Sequence, residues 1–109
     1  MSRLIQRAKN AALEKAVLRV LQPKVERYGQ IRKLSLDTAA KKLSVEIVLR
    51  GETEPFKISE AHYRIEDRRG QTILVMHDVK VSREWAQHLL DDYFREIPIK
   101  IPDFARIFK

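Results

Sequence analysis

The spacing of apolar residues along the chain changes period twice. From Ser2 to Leu21 it follows a helix, with Leu13, Ala16, Val17, Val20 and Leu21 at the i, i+3, i+4, i+7, i+8 positions of one face. Ala, Leu, Lys, Arg and Glu dominate this stretch, and no Gly or Pro interrupts it. A second, narrower stripe recurs every seven residues on another side: Leu4, Ala11, Leu18 and Val25. Its plain reading is mild surface apolarity, which is common. Its functional reading is a second contact, with a partner helix, another subunit or a membrane surface. Pro23 predicts an end or kink after Leu21, with a short further turn through Glu26 and a left-handed stop at Gly29.

From Gln30 the period becomes two. Leu34 and Leu36 alternate with polar neighbours up to a turn at Asp37-Thr38. Leu43, Val45, Ile47 and Leu49 give the clearest alternation, that of a half-buried antiparallel strand closed by Gly51. Phe56 and Ile58 lie on one parity and Tyr63 and Ile65 on the other, so a bulge is expected between Ser59 and His62. Asp67-Arg68-Arg69-Gly70 reads as a hairpin loop. The segment from Thr72 to Val81 begins apolar on both parities (Ile73, Leu74, Val75, Met76), as in a strand covered on both faces.

The period then returns to that of a helix. Ser82 is placed as its N-cap and Pro98 as its stop. Trp85, Ala86, Leu89, Leu90, Tyr93, Phe94 and Ile97 form the apolar side, expected to face the core. Gln87, His88, Asp91, Asp92 and Arg95 form the polar side. The prolines at 98 and 102, with alternating isoleucines, predict an extended tail. Phe104, Ile107 and Phe108 are its apolar contact group. The expected fold is α+β: N-terminal helix, four-stranded antiparallel meander, C-terminal helix, extended tail. The organisation is a single domain over 1–109, with a basic helical segment (1–28), a sheet (30–82), a helix (83–97) and a tail (98–109). A parallel sheet is disfavoured because no crossover helix separates the strands.

Composition changes this picture mainly through charge. Of the 109 residues 44% are hydrophobic and 34% charged, which suits a folded chain. There is no cysteine, so disulfides and thiolate chemistry are excluded. No apolar run reaches membrane-spanning length, and Arg7, Lys9, Glu14 and Lys15 break any signal-peptide core, so the expected location is cytoplasmic, peripheral to the membrane at most. The net charge is +7. Residues 1–28 hold seven basic and two acidic residues (7 − 2 = +5), while the other 81 hold 15 and 13 (15 − 13 = +2). The excess is therefore concentrated on the first helix, which points to an anionic partner.

No constellation for chemistry is visible. The glycines at 29, 51 and 70 are isolated, so no phosphate loop is present. His62, His77 and His88 fall on three different elements. His77 and Asp78 are strand neighbours, expected to point to opposite faces. Asp91-Asp92 and Glu66-Asp67 lack facing geometry. No catalytic residue, cofactor or metal is expected. The strands also lack the base-stacking aromatics of an RNA platform, and no GXXG loop occurs. Three binding readings remain. The first is an anionic membrane surface met by Arg3, Arg7, Lys9, Lys15 and Arg19, with Arg68 and Arg69 on a hairpin tip. The apolar contacts would be Leu4, Leu18, Val25, Phe104 and Phe108. The second is a protein partner or homodimer through the seven-residue stripe. The third, ranked lower, is non-specific nucleic-acid binding.

Overall fold

The computed structural model describes residues 3–109, so Met1 and the expected helix start at Ser2 lie outside the described residues. One long helix, α1 (Arg3–Val25), leads into strands β1 (Gly29–Asp37), β2 (Lys42–Leu49), β3 (Phe56–Arg68) and β4 (Gln71–Val81). Helix α2 (Glu84–Tyr93), strand β5 (Glu96–Lys100) and a 3-10 helix (Asp103–Phe108) complete the chain. The strands form one antiparallel sheet in the order β1-β2-β3-β4-β5. The sheet thus has five strands where the pattern predicts four, and the tail is not simply extended. Ile97, Pro98 and Ile99 pair with Met76, Val75 and Leu74. Pro98 is tolerated because β5 is an edge strand, where a missing N–H can face solvent.

The core lies on one face of the sheet. Leu13 and Val17 of α1 pack with Leu36, Leu43, Val45, Ala61, Tyr63, Leu74, Met76, Ile99 and Ile101. Ala105 and Phe108 of the 3-10 helix join them, so Phe108 is part of the core and not an external contact. On the opposite face Ile73 and Val75 are also buried. There Arg64 of β3, opposite Val75 in register, reaches across β4 to Glu96 of β5 at 3.0 Å.

Local backbone chemistry explains the joints. Asp37 Oδ1 accepts from the Ala39 and Ala40 amides at 3.0 and 3.1 Å, closing the β1–β2 turn where the sequence places it. Arg69 and Gly70 both have positive φ (52° and 78°), so the β3–β4 hairpin turns on two residues and the strands run on to Arg68 and Gln71. The expected bulge in β3 occurs at Ser59-Glu60, which together oppose the single Ser44 step of β2. A second bulge in β4 places Asp78 at φ 51°.

Three expected boundaries shift. Helix α1 runs through Pro23 to Val25 without ending at Leu21. Gly29 opens β1 and makes no left-handed stop. It is glycine because a Cβ there would sit 2.0 Å from the Val48 carbonyl oxygen. Helix α2 ends at Tyr93, and its N-cap is Arg83, since the Ser82 hydroxyl accepts from the Lys57 amide at 2.9 Å.

Side chains from the helices complete the sheet edges. The Leu36 amide of edge strand β1 donates to Glu14 Oε1 at 3.3 Å. The Thr38 amide and hydroxyl donate to Asn10 Oδ1 at 2.9 and 2.7 Å, and Gln6 bonds both Asn10 and Thr38. On the far side β5 pairs β4 only as far as His77, and Gln87 of α2 takes over beyond it. Its carboxamide accepts from the Val81 amide and donates to the Val79 carbonyl, each at 2.8 Å. Gln87→Leu removes both bonds and should lower the unfolding free energy by about 1–3 kcal/mol in denaturant titration. Stability equal to the parent chain would show that the amide does not hold the edge.

Candidate surface-binding face

The Gln6, Asn10, Glu14 row sets the rotation of α1 about its own axis. With that row bonded to the end of β1 and Leu13, Ala16 and Val17 buried, the opposite side must face solvent. At roughly 100° per residue, Leu4, Ala11 and Leu18 project within about 40° of one another, directly away from the sheet. Leu4 is 76% and Leu18 38% exposed. Arg3 and Arg7 flank this ridge on one side, Lys15 and Arg19 on the other, and all four are exposed. Val25 departs from the ridge. It is half-buried, and lines a small cleft with Tyr28, Ile47, Leu49 and Phe56.

The ridge cations differ electrostatically from those of the sheet. Glu46 lies 3.8 Å from both Arg32 and Lys57. Glu60 binds Lys42 at 3.0 Å and lies 3.8 Å from Lys80. Glu66 joins Arg64 and Arg68 at 2.7 and 2.8 Å. Asp67 holds Arg106 and Lys109 at 2.9 and 2.7 Å. Among the described residues, by contrast, Arg3, Arg7, Lys15 and Arg19 have no ion-pair partner. Their potential is directed at solvent, whereas each of these other cations has a carboxylate at 3.8 Å or less.

The other expected contacts separate into two groups. Lys9 lines a cleft of about 480 Å³ between α1 and the 3-10 helix, with Gln6, Ala8, Ala12, Lys41, Ile107 and Lys109 around it. Ile107, which lines this cleft, is 81% exposed, and Phe104, three residues earlier, is also exposed. Arg69 stands at the hairpin tip, and Arg68 is held by Glu66. That tip meets the same end of the molecule through Asp67, which anchors Lys109 at the rim of the cleft.

Helix α2 overturns an expectation. Trp85, Leu89 and Tyr93, placed in the core from their periodicity, are exposed, as is Phe94. Gln87, read as polar surface, faces the sheet, and Ala86 is the buried residue of the helix. The docking amide, not the greasiest stripe, determines which way α2 faces.

Two histidines converge. His62 and His77 pair across β3 and β4 with ring centroids 5.8 Å apart, nearly parallel on the outer face. The bulge also turns the Asp78 carboxylate onto His77 Nδ1 at 2.8 Å, forming the His–Asp pair that strict alternation would forbid. His88 stays apart, its Nε2 3.7 Å from Glu84. Among the described residues no group of three His, Cys, Asp or Glu side chains is placed to hold a metal ion. No helix of the described residues is long and apolar enough to cross a membrane.

Comparison of the chain with protein-family models, curated proteins and solved structures finds no match.

Four sheet carboxyls are held below the ordinary range by the cations or imidazole bonded to them: Glu60 by Lys42, Glu66 by Arg64, Asp67 by Lys109 and Asp78 by His77. Their charged forms therefore stabilise the fold above the unfolded carboxylate pKa of about 4, and this contribution is lost as pH falls through their lower folded values. The denaturation midpoint should stay level from about pH 7 to 5 and fall below about pH 4. A midpoint at about pH 3 equal to that at about pH 7 would contradict this ion-pair lattice.

Proposed function

We propose that this chain is a non-enzymatic binding module whose α1 lies along an anionic bilayer surface, peripheral to the membrane on its cytoplasmic side. The observation that carries the reading is the exposed Leu4–Ala11–Leu18 ridge between two pairs of cations that have no ion-pair partner among the described residues. An interfacial helix needs this combination. Its apolar ridge enters the boundary between headgroups and acyl chains, and the flanking cations meet the headgroups. Each cation near such a surface contributes about 1 kcal/mol, so the four together are comparable to what burying two leucines supplies.

The rest of the fold supports this assignment. At about 1.5 Å per residue, the 23 residues of α1 extend for roughly 35 Å along the sheet. Its rotation is fixed from below, so the ridge need not be reorganised on contact. Ile107 adds apolar surface at the cleft beside its N-terminal half, and Phe104 of the same 3-10 helix is also exposed. Arg69, at the hairpin tip, adds a further exposed cation toward the same end. A nucleic-acid duplex would also meet the cations, but it gives the apolar ridge nothing to enter.

The protein should co-sediment with vesicles of mixed phosphatidylcholine and phosphatidylserine at low salt, and much less with phosphatidylcholine alone. Replacing Arg3, Arg7, Lys15 and Arg19 together with Gln should weaken binding at least about 10-fold, since each contributes about 1 kcal/mol. The far-ultraviolet dichroism should stay unchanged. Equal binding to both vesicle types, or undiminished binding by the substituted chain, would overturn the reading. Tighter binding to duplex DNA than to vesicles would replace it with the nucleic-acid one.

A further inference from the structure

Helix α2 presents the most aromatic surface of the molecule. Trp85, Leu89 and Tyr93 follow one another at i, i+4 and i+8, while Phe94 lines the cleft between α2 and β4 with Gln87 and Leu90. Trp85 is 66% and Tyr93 74% exposed. Trp and Tyr in such positions dominate the energetics of protein contacts. Together the exposed parts of Trp85 and Tyr93 offer on the order of 300 Å², taking roughly 150–250 Å² for each whole side chain.

Charge decides what covers this face. Between Glu84 and Tyr93, α2 carries Glu84, Asp91 and Asp92 and no Lys or Arg, with Asp92 about 20° from Trp85 on the same side and Asp91 bonded by Gln87 on the other. An anionic bilayer is repelled by such a helix. A partner that fits it presents an apolar ridge flanked by cations. The chain itself holds that surface, on α1. The two cannot meet within one molecule, because α1 is fastened to edge strand β1 and α2 to β4, three strands away in the sheet.

We propose that the acidic aromatic face of α2 receives the basic ridge of α1 from a second copy of this chain. The contact is head-to-tail: each copy offers one α1 ridge and one α2 face, so association grows into a ring or a short filament. The aromatic area is well under half of the ~800 Å² per partner typical of a stable interface, so association is weak and concentration-dependent. Opposite charges on the two helices make it weaken with salt. The inference rests on α2 and on the exposure of α1, not on membrane binding. Where both occur, vesicles and a second copy compete for the same ridge.

The test uses two surface variants. Leu18→Glu disables the ridge and keeps α2. Trp85→Ser with Tyr93→Ser disables α2 and keeps the ridge. In sedimentation velocity at low salt the parent chain should associate with rising concentration, and each variant alone should remain a monomer. An equimolar mixture of the variants should give a dimer that stops there, because each supplies the half the other lacks. Trp85 is the sole tryptophan of the chain, so the serine variant lacks indole emission. Adding it to the Leu18→Glu chain should therefore shift the Trp85 emission to the blue. A parent chain that stays monomeric up to millimolar concentration overturns the proposal. A mixture that stays monomeric, with no shift, also overturns it. A Leu18→Glu chain that dimerises alone would show instead that α2 pairs with α2.

Discussion

The organisation of this molecule depends on how the free edges of its sheet are closed. A strand at an edge leaves amides and carbonyls without strand partners. At β1 the Leu36 amide goes to Glu14, while just past the strand the Thr38 amide goes to Asn10. At the end of β4, beyond the reach of β5, Gln87 bonds Val81 and Val79 as another strand would. Each bond links a helix side chain to the backbone of a strand or of the turn just past it, so each fixes the rotation of a helix. The surfaces that the helices show to solvent follow from that rotation.

For α1 the consequence is a ridge of Leu4, Ala11 and Leu18 turned outward between cations. For α2 it is an outward row of Trp85, Leu89 and Tyr93 beside carboxylates. Burial alone would favour turning the aromatic row inward, since each such side chain gains about 1.5–3 kcal/mol on leaving water. The paired amide bonds and the burial of Ala86 hold the other orientation. Two exposed apolar faces of opposite charge are thus products of the fold. A bilayer for α1 and a second copy for α2 are the readings that their chemistry supports.

Much of the sheet was legible in the chain. Strict alternation from Leu43 to Leu49 and the parity change between Ile58 and Tyr63 predict β2 and the bulge of β3, because side-chain direction in a strand follows residue count. The inward residues Leu13, Ala16 and Val17 follow from helical spacing for the same reason. Strand β5 was hidden, since Pro98 and Pro102 read as breakers and an edge strand tolerates what a central one does not. The His77–Asp78 pair was hidden because a residue at positive φ escapes strand alternation. The direction of α2 was hidden because periodicity says which residues share a side, not which side meets the sheet. One signal was available. Polar Gln6, Asn10 and Glu14 recur every four residues beside the buried stripe of α1, the spacing of a row that docks rather than dissolves.

The outer side of α1 is, on this reading, the working surface of the molecule. The natural absence of cysteine permits a direct measurement with one spin label, attached at Ala11→Cys on the ridge, and a second, separate label at Ser44→Cys on the outer face of the sheet. Oxygen and a water-soluble nickel complex compete as relaxing agents in the presence of phosphatidylserine-containing vesicles. The label at position 11 should gain oxygen accessibility and lose nickel accessibility, while the label at position 44 keeps its aqueous profile. An unchanged profile at position 11, or equal immersion at both positions, would contradict this assignment.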